Sequence, residues 1–513
     1  FAPKSASLLN FFLHLFPLDW LKNIVIVKTS EALEAQGKPA LMFGEFLRYI
    51  RLWLLMATLS GWSRDDFWSV DAFDQRSNAC PFNFRGFMRK TRFNDITREL
   101  RFTDDDKPSF VDKFWEVRQM IREWNKNVAA VFISSWISCL DETMSIWHNR
   151  WTCPGWVFCP RKPHPFGNEY HSVCCAVTGI MWGIELVTGK DRPSELGRPM
   201  YDELGKTVGL LLRMLEPVFH TGRYIVLDSG FCVLRGIVEL RRRGVFACAP
   251  IKKRRYWPTL VPGDAMERHF STMNVGEVDA IEGSLDGISY TLWGMKEPNY
   301  IMRMMATGGP LTATPKCKHT TRRVENSTVA FQYTCPYDWH FRYRHAVDDH
   351  NNLRHGLPSL EDTWVTVRWP VRVFTFLLAL TETNLYLALR FFVYVGAQKK
   401  HLPKYLDFRR NLAWAFIDNP HLPKEPAEPL SPFFTQLVDH TLQTAPPHAR
   451  IYMNRKWVTD AKTRYPQFTC SVPLCKKTIR TYCACTPGVW LCVDHMIEHA
   501  VGEARKEKPH SLN

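Results

Sequence analysis

The chain has 513 residues, enough for several domains at roughly 100–200 residues each, and its 45% hydrophobic and 13% aromatic content is ample for buried cores. A formal net charge of +15 points to a polyanionic partner without choosing between DNA, RNA and an anionic membrane. Of the 15 cysteines, an odd number, those from Cys80 to Cys335 are scattered, and those from Cys470 to Cys492 are followed by two histidines. That distribution argues against a disulfide framework and for a reducing compartment with one local metal site.

Residues 1–136 read as mostly helical. An apolar patch covers residues 8–21, broken at Pro17, and Phe46, Tyr49, Ile50 and Trp53 follow the i, i+3, i+4, i+7 spacing of a buried helix face. The interleaved Arg and Lys of residues 85–101 face either phosphates or solvent. A run with Phe114, Val117 and Ile121 on one side is a further helix. From residue 137 the texture changes. Residues 137–141 form a short strand ending in Asp141, and the apolar runs 171–177 and 181–187 around Gly179 form a hairpin. Val208, Leu211, Leu212 and Leu215 then mark a helix face. Residues 224–228 form a strand ending in Asp228, and 231–243 a helix closed by Arg241, Arg242 and Arg243 before Gly244, where cations complement the dipole. Residues 245–251 are the next strand. This order describes a mixed sheet of the ribonuclease H-like kind, in which a first-strand and a fourth-strand Asp end up side by side.

An Asp at a strand end is ordinary by itself, because Asp caps the helix that follows. Carboxylates delivered together are what a two-metal phosphoryl-transfer site needs, since oxygen ligands hold divalent cations against the attacking and leaving oxygens. A third acidic spot is Asp348-Asp349. On a helix these two point about 100° apart, so only one faces the metals. The basic run Lys252-Lys253-Arg254-Arg255 follows the last strand and is either a DNA-backbone contact or a nuclear-import signal. The most apolar long stretch, residues 371–397, is interrupted by Glu382, Asn384 and Arg390, so no membrane span is evident. After a Pro-rich tether come Cys470, Cys475, Cys483, Cys485, Cys492, His495, His499 and His510. So many thiolates and imidazoles in so little core point to zinc-driven folding rather than free buried cysteines.

Several segments together carry a resemblance. They are Leu140-Asp141-Glu142-Thr143-Met144, Pro160-Arg161-Lys162-Pro163 with Phe166-Gly167, and Val226-Leu227-Asp228-Ser229-Gly230-Phe231. They continue with Ala346-Val347-Asp348, Asn351, Trp364 and Trp369, and end with Phe408-Arg409-Arg410-Asn411-Leu412-Ala413. In this order, with Met88, Phe93, Phe102 and Asp104 before them, the chain resembles the piggyBac-type transposases of the DDE/D superfamily. The resemblance implies a multidomain α/β protein. Its parts would be a ribonuclease H-like catalytic domain (137–256 and 336–357), a β-rich insertion (257–335) and a helical dimerisation and DNA-binding domain (1–136 completed by 358–418). A linker (419–468) and a cysteine-rich zinc domain (469–513) would follow.

The resemblance further implies a triad of Asp141, Asp228 and Asp348 holding two Mg²⁺ or Mn²⁺ ions, and DNA contacts from Lys162, Lys252, Lys253, Arg254 and Arg255. It implies a homodimer in the nucleus that cuts element ends through hairpin intermediates and inserts at TTAA. In an interleaved zinc domain with two Zn²⁺ ions, Cys470, Cys475, Cys492 and His495 would share one. Cys483, Cys485 and His499 would hold the other, with His510 or another residue. Two positions depart from the family: Ser229 stands where Asn is usual and Asn351 where a further Asp is frequent. They leave room for a catalytically silent, domesticated descendant that binds DNA or chromatin.

Overall fold

The computed structural model describes residues 7–59, 61–69, 80, 82–196, 200–252, 258, 261–309, 317, 319–356, 358–393, 403–416, 419–422, 442–453, 456–459, 468–471, 475–483, 490–492 and 495. The chain divides into two compact units, Phe1–Leu422 and Pro423–Asn513.

The first unit begins with helices, among them α1 (Leu8–Leu15), α2 (Val27–Glu34), α3 (Phe43–Met56), α4 (Lys90–Glu99) and α5 (Trp115–Val131). The spacing read at Phe46, Tyr49, Ile50 and Trp53 is met: all four are buried on α3. The cations of residues 85–101 are largely engaged within the protein. Arg92, for example, donates to both oxygens of Glu45, each at 2.7 Å, and to the carbonyls of Pro39 and Ala40.

The sheet strands follow: β1 (Ile137–Ile146), β2 (Trp156–Phe158), β3 (Phe166–Cys175) and β4 (Met181–Leu186), then α6 (Lys206–Leu215), β5 (Tyr224–Leu227), α7 (Leu234–Arg242) and β6 (Phe246–Pro250). β3 runs antiparallel to β1, whereas β5 and β6 run parallel to it, giving the mixed sheet expected from the element order. Gly179 makes the β3–β4 turn with a positive φ of 78°, a backbone region that favours glycine. The 257–335 segment contains α8 (Gly263–Ser271), β7 (Val278–Leu285), β8 (Ile288–Lys296), β9 (Ile301–Ala306), β10 (His319–Val324) and β11 (Ser327–Gln332). β9 pairs antiparallel with β6, Cys248 opposite Ala306, and β8 and β7 add outside it. These three strands therefore extend the main sheet, while β10 and β11 form a separate hairpin.

The chain returns through α9 (Cys335–Tyr343), α10 (Ala346–Arg354) and the short α11 (Leu360–Thr363) to α12 (Trp369–Ala388) and α13 (Tyr405–Ala415). α12 is long and apolar enough, by composition, to cross a membrane. It is instead enclosed by protein: Phe374 is ringed by Phe16, Trp20, Phe46, Phe102 and Trp364. Trp364 in turn stacks on Trp53 at 4.4 Å. The polar interruptions of this stretch are explained by partners. Asn384 accepts from Met181 N at 2.8 Å, donates to Met181 O at 2.7 Å, and meets His350 Nε2 at 3.2 Å, so it ties α12 to β4 and α10. Glu382 pairs with Arg409 at 2.6 Å, both side chains 1% exposed, and Arg409 also donates to Ala57 O and Pro358 O. Breaking a buried pair strands a charge. Glu382→Ala is therefore expected to cost about 3–5 kcal/mol, read as a lower denaturant midpoint of the first unit; a loss of under about 1 kcal/mol would contradict this role.

In the second unit the described strands are short. Leu442–Thr444 pairs with Thr481–Cys483, Ala449–Met453 with Lys456–Thr459, and Phe468–Thr469 with Thr478–Ile479. Trp490 stacks on Phe468 at 3.6 Å.

Candidate active site and metal centre

β1 was expected to stop at Asp141, but it runs on to Ile146. The reason lies in its two neighbours. The parallel partner β5 ends at Leu227, opposite Leu140, whereas the antiparallel partner β3 continues the ladder with Ser172 opposite Asp141 and Gly167 opposite Ile146. Asp141 thus stands where β5 leaves the sheet, and Asp228 is the residue that follows β5, its N–H reaching Leu140 O at 3.4 Å. The two carboxylates come from adjacent positions on parallel neighbours.

Helix α10 brings the third. It packs on β1 through buried Val347, and Asn351 Nδ2 donates to Thr143 Oγ1 at 3.3 Å. Arg354 donates to Met144 O at 2.7 Å and forms a fully buried ion pair with Glu361. Cys139 Sγ donates to Arg344 O at 3.2 Å just before the helix. So anchored, α10 places Asp348 in two clefts that both also contain Asp141 and Asp228. One, about 530 Å³, is lined by Asp141, Asp228, Asp348, Asp349, Lys162 and His355 among others. The other, about 660 Å³, shares Asp141, Asp228, Asp348, Lys252 and His345 but not Asp349. Asp349 is exposed on the helix.

The electrostatics distinguish the carboxylates. Burial pushes the Asp141 carboxyl up to about 7; Lys162 and the Glu142 N–H, which donates to Oδ1 at 2.8 Å, oppose this, while Asp228 and Asp348 add to it. At Asp228 burial also acts upward, but the N–H of Ser229, Lys252, the N–H of Gly230 and the Ser229 hydroxyl outweigh it and hold the carboxyl below its ordinary value. The Asp228 side chain caps a short turn, Ser229–Phe231, as a strand-end Asp commonly does. Its Oδ2 accepts from Ser229 Oγ at 3.3 Å and Gly230 N at 3.4 Å, while Oδ1 stands 3.7 Å from Lys252 Nζ. One oxygen serves as cap and the other faces the cleft.

Lys162 Nζ donates to Glu142 O at 3.1 Å, beside Asp141. His345, not singled out in the sequence, lies 3.9 Å from Asp348 Oδ2; the i, i+3 spacing within one helical turn was the available signal. Lys253, Arg254, Arg255, Cys485, His499, His510 and the side chain of Cys483 lie outside the described residues.

In the second unit the ligand atoms of Cys470, Cys475, Cys492 and His495 all lie within 4.8 Å of one another. His495 Nδ1 is 3.4 Å from Cys470 Sγ and 3.2 Å from Cys492 Sγ, close to the edge of about 3.6 Å that tetrahedral Zn–S and Zn–N bonds dictate. Three thiols and an imidazole are a zinc-type donor set, so the residues fit that metal. Among the described residues this is the one set so tightly gathered. The oxygens of Asp141, Asp228 and Asp348 are not gathered within 4.8 Å of one another.

Among solved structures, a piggyBac transposase synaptic complex with hairpin DNA superposes with a TM-score of 0.60 at 16% identity, covering 96% of this chain and 98% of that one. The likeness is one of fold. The family described as Transposase IS4 matches residues 9–386, and the chain belongs to it. No curated protein sequence matches the chain. The resemblance to piggyBac-type transposases read from the sequence is thus met in family and fold.

Proposed function

We propose that the chain is a catalytically competent cut-and-paste DNA transposase, with Asp141, Asp228 and Asp348 as its triad. The observation that carries this reading is the delivery of Asp141 and Asp228 from adjacent parallel strands to the cleft that Asp348 enters from α10. The three residues fit a pair of Mg²⁺ or Mn²⁺ ions: all are oxygen donors, and the Asp141 carboxyl is hard to ionise without a cation beside it. Bound there, such ions supply Lewis acidity toward a phosphoryl oxygen and lower the pKa of a ligated water.

The chain's own groups do the rest. Asp141 would hold such an ion in its ionised form, which the nearby Lys162 cation favours against burial. Asp228 enters already ionised and is oriented by Ser229 and Gly230. Ser229, a departure from the family pattern, thus keeps the orienting hydrogen bond. Asn351 lines the cleft and offers a carbonyl oxygen. Lys252, 65% exposed and 3.7 Å from Asp228 Oδ1, would be available to a DNA phosphate, and Lys162 lines the same cleft. The run on to Arg255 would extend that contact. A homodimer acting in the nucleus, hairpin-ended intermediates and TTAA insertion complete the proposal, on the resemblance alone. So does a pair of Zn²⁺ ions in the C-terminal unit, one on Cys470, Cys475, Cys492 and His495.

The test is strand cleavage and joining on DNA carrying the element's ends, with Mg²⁺ or Mn²⁺. Metal-dependent nicking supports the reading; binding without cleavage identifies a silent descendant. A second expectation follows from Asp141. Its folded-state value is raised, so below about 7 a proton competes with metal at this ligand. Mn²⁺ affinity, measured calorimetrically, should rise up to about tenfold per pH unit toward pH 7 and level off above it. In the metal-free protein the sign is opposite: Asp141's contribution to stability is present at low pH and is lost as pH rises through about 7.

A further inference from the structure

Cys317, just before β10, and Cys335, the first residue of α9, lie with their sulfurs 3.1 Å apart. Neither lines the clefts that contain the three aspartates, and neither belongs to the gathered thiols of the second unit. We infer that the two form a redox modification site, a dithiol that peroxide closes to a disulfide, fastening the foot of the β10–β11 hairpin to α9. The site is independent of the transposase reading.

A disulfide holds its sulfurs about 2.05 Å apart, so from 3.1 Å the pair has only about 1 Å to travel. The two residues sit just past the open end of one hairpin, whose ladder ends with His319 opposite Gln332. The anchor on the α9 side is already in place. Cys248 Sγ of β6 donates to Pro336 O at 3.9 Å, and Tyr337 Oη donates to Met302 O of β9 at 2.6 Å, so the first turn of α9 is docked on the main sheet. The hairpin is a separate two-stranded sheet that meets the main one through contacts such as the 2.9 Å pair of Arg322 with Glu297, just past β8. A link between Cys317 and Cys335 therefore ties a separate element to a fixed one.

Both residues are nearly enclosed, at 5% and 8% exposure, which favours an oxidant as small as peroxide over a bulky disulfide reagent. One Sγ takes a hydroxyl from peroxide as the O–O bond breaks, and the departing hydroxide leaves as water with the thiol proton. A sulfenic acid condenses with a neighbouring thiol. Here the second Sγ attacks the first, the S–O bond breaks, and the hydroxyl leaves as water with the second thiol proton. Two thiols lose two electrons and one peroxide becomes two waters. A dithiol reductant reverses the step by attack on a disulfide sulfur. In a reducing compartment, to which the cysteine distribution points, a pair that closes is transient and redox-sensing.

The test exposes the folded full chain to a small excess of hydrogen peroxide, alkylates the remaining thiols, unfolds the product and digests it with a Glu-specific protease. Cuts after Glu297, Glu325 and Glu361 leave Cys317 and Cys335 on separate peptides. The expected product is these two peptides linked, lighter by two hydrogens than their sum, and separated again by dithiothreitol. Cys317→Ala and Cys335→Ala should each abolish it. Backbone hydrogen exchange across residues 319–332 should slow by about tenfold or more in the linked chain, because the crosslink restricts local opening. The site is overturned if both cysteines are recovered as thiols, carry separate sulfinic or sulfonic acids, or are linked to other cysteines instead. A link that leaves hairpin exchange unchanged overturns the fastening.

Discussion

Replacing Asp228 by asparagine is expected to slow strand cleavage by about 1,000-fold or more while DNA binding is kept or slightly strengthened. The substitution is nearly isosteric, and asparagine caps a turn as well as aspartate does, so the hydrogen bonds to Ser229 and Gly230 survive. What is lost is one negative charge at Oδ1, the oxygen facing the cleft. Charge stabilisation by catalytic cations is worth several kcal/mol, and each 1.36 kcal/mol is a factor of ten in rate. Removing a like charge near phosphate accounts for the tighter binding. Asp348→Asn should behave in the same way. Asp349→Asn should keep most of the activity, because Asp349 is exposed and reaches only one of the two clefts. Single-turnover cleavage with anisotropy on the same preparations checks this. Retained cleavage by Asp228→Asn would remove it from the triad, and the reverse ranking of positions 348 and 349 would exchange their roles.

The strands that carry the first two carboxylates were legible because each is a short apolar run bounded by a polar end. Tyr224–Leu227 is buried at every position, as a central parallel strand must be. The true length of β1 was not legible. Asp141, Glu142 and Thr143 interrupt the apolar pattern, and the strand persists through them only because β3, distant in sequence, supplies the backbone partners. The 257–335 segment reads as irregular for a related reason. β7 lies at the end of the sheet with most of its side chains exposed or half-buried, so its sequence shows no buried stripe. The polar residues of the 371–397 stretch were read as costly in lipid, and their partners within the protein were hidden. Glu382 answers Arg409, and Asn384 answers the backbone of Met181, partners that only the tertiary fold brings near.

The site was similarly divided. Asp141, Asp228, Asp348 and Lys162, singled out through the family resemblance, all line one cleft, and their roles belong to the proposal. The closeness of Lys252 to Asp228 was not legible, since it depends on β5 and β6 lying side by side. Nor was the second cleft, whose lining includes Tyr300, His340 and Arg344 from separate parts of the chain. Local chemistry could be read one residue at a time; the second cleft exists only as a junction of elements.

Chelating zinc, or replacing Cys470 by serine, is expected to unfold the Pro423–Asn513 unit while the thermal transition of Phe1–Leu422 stays where it is. The described buried apolar cluster of that unit is small, Ala445 and Tyr482 with Trp490 against them, and its strands are two to five residues long. Among the described residues, so little burial does not offset the conformational entropy of ordering them. Structural zinc contributes about 10–16 kcal/mol of apparent binding free energy near neutral pH, which makes metal binding and folding one event there. The first unit has its own extensive core and, in this reading, does not depend on that metal. Calorimetry should therefore show two transitions, of which chelator removes one. Elemental analysis should find Cys470→Ser short of one zinc per chain, and of no more than one if Cys483, Cys485 and His499 hold a second ion. If chelation left both transitions in place, the four gathered side chains would be a packed set of free thiols with a neighbouring imidazole, and the unit's stability would have to come from contacts other than metal.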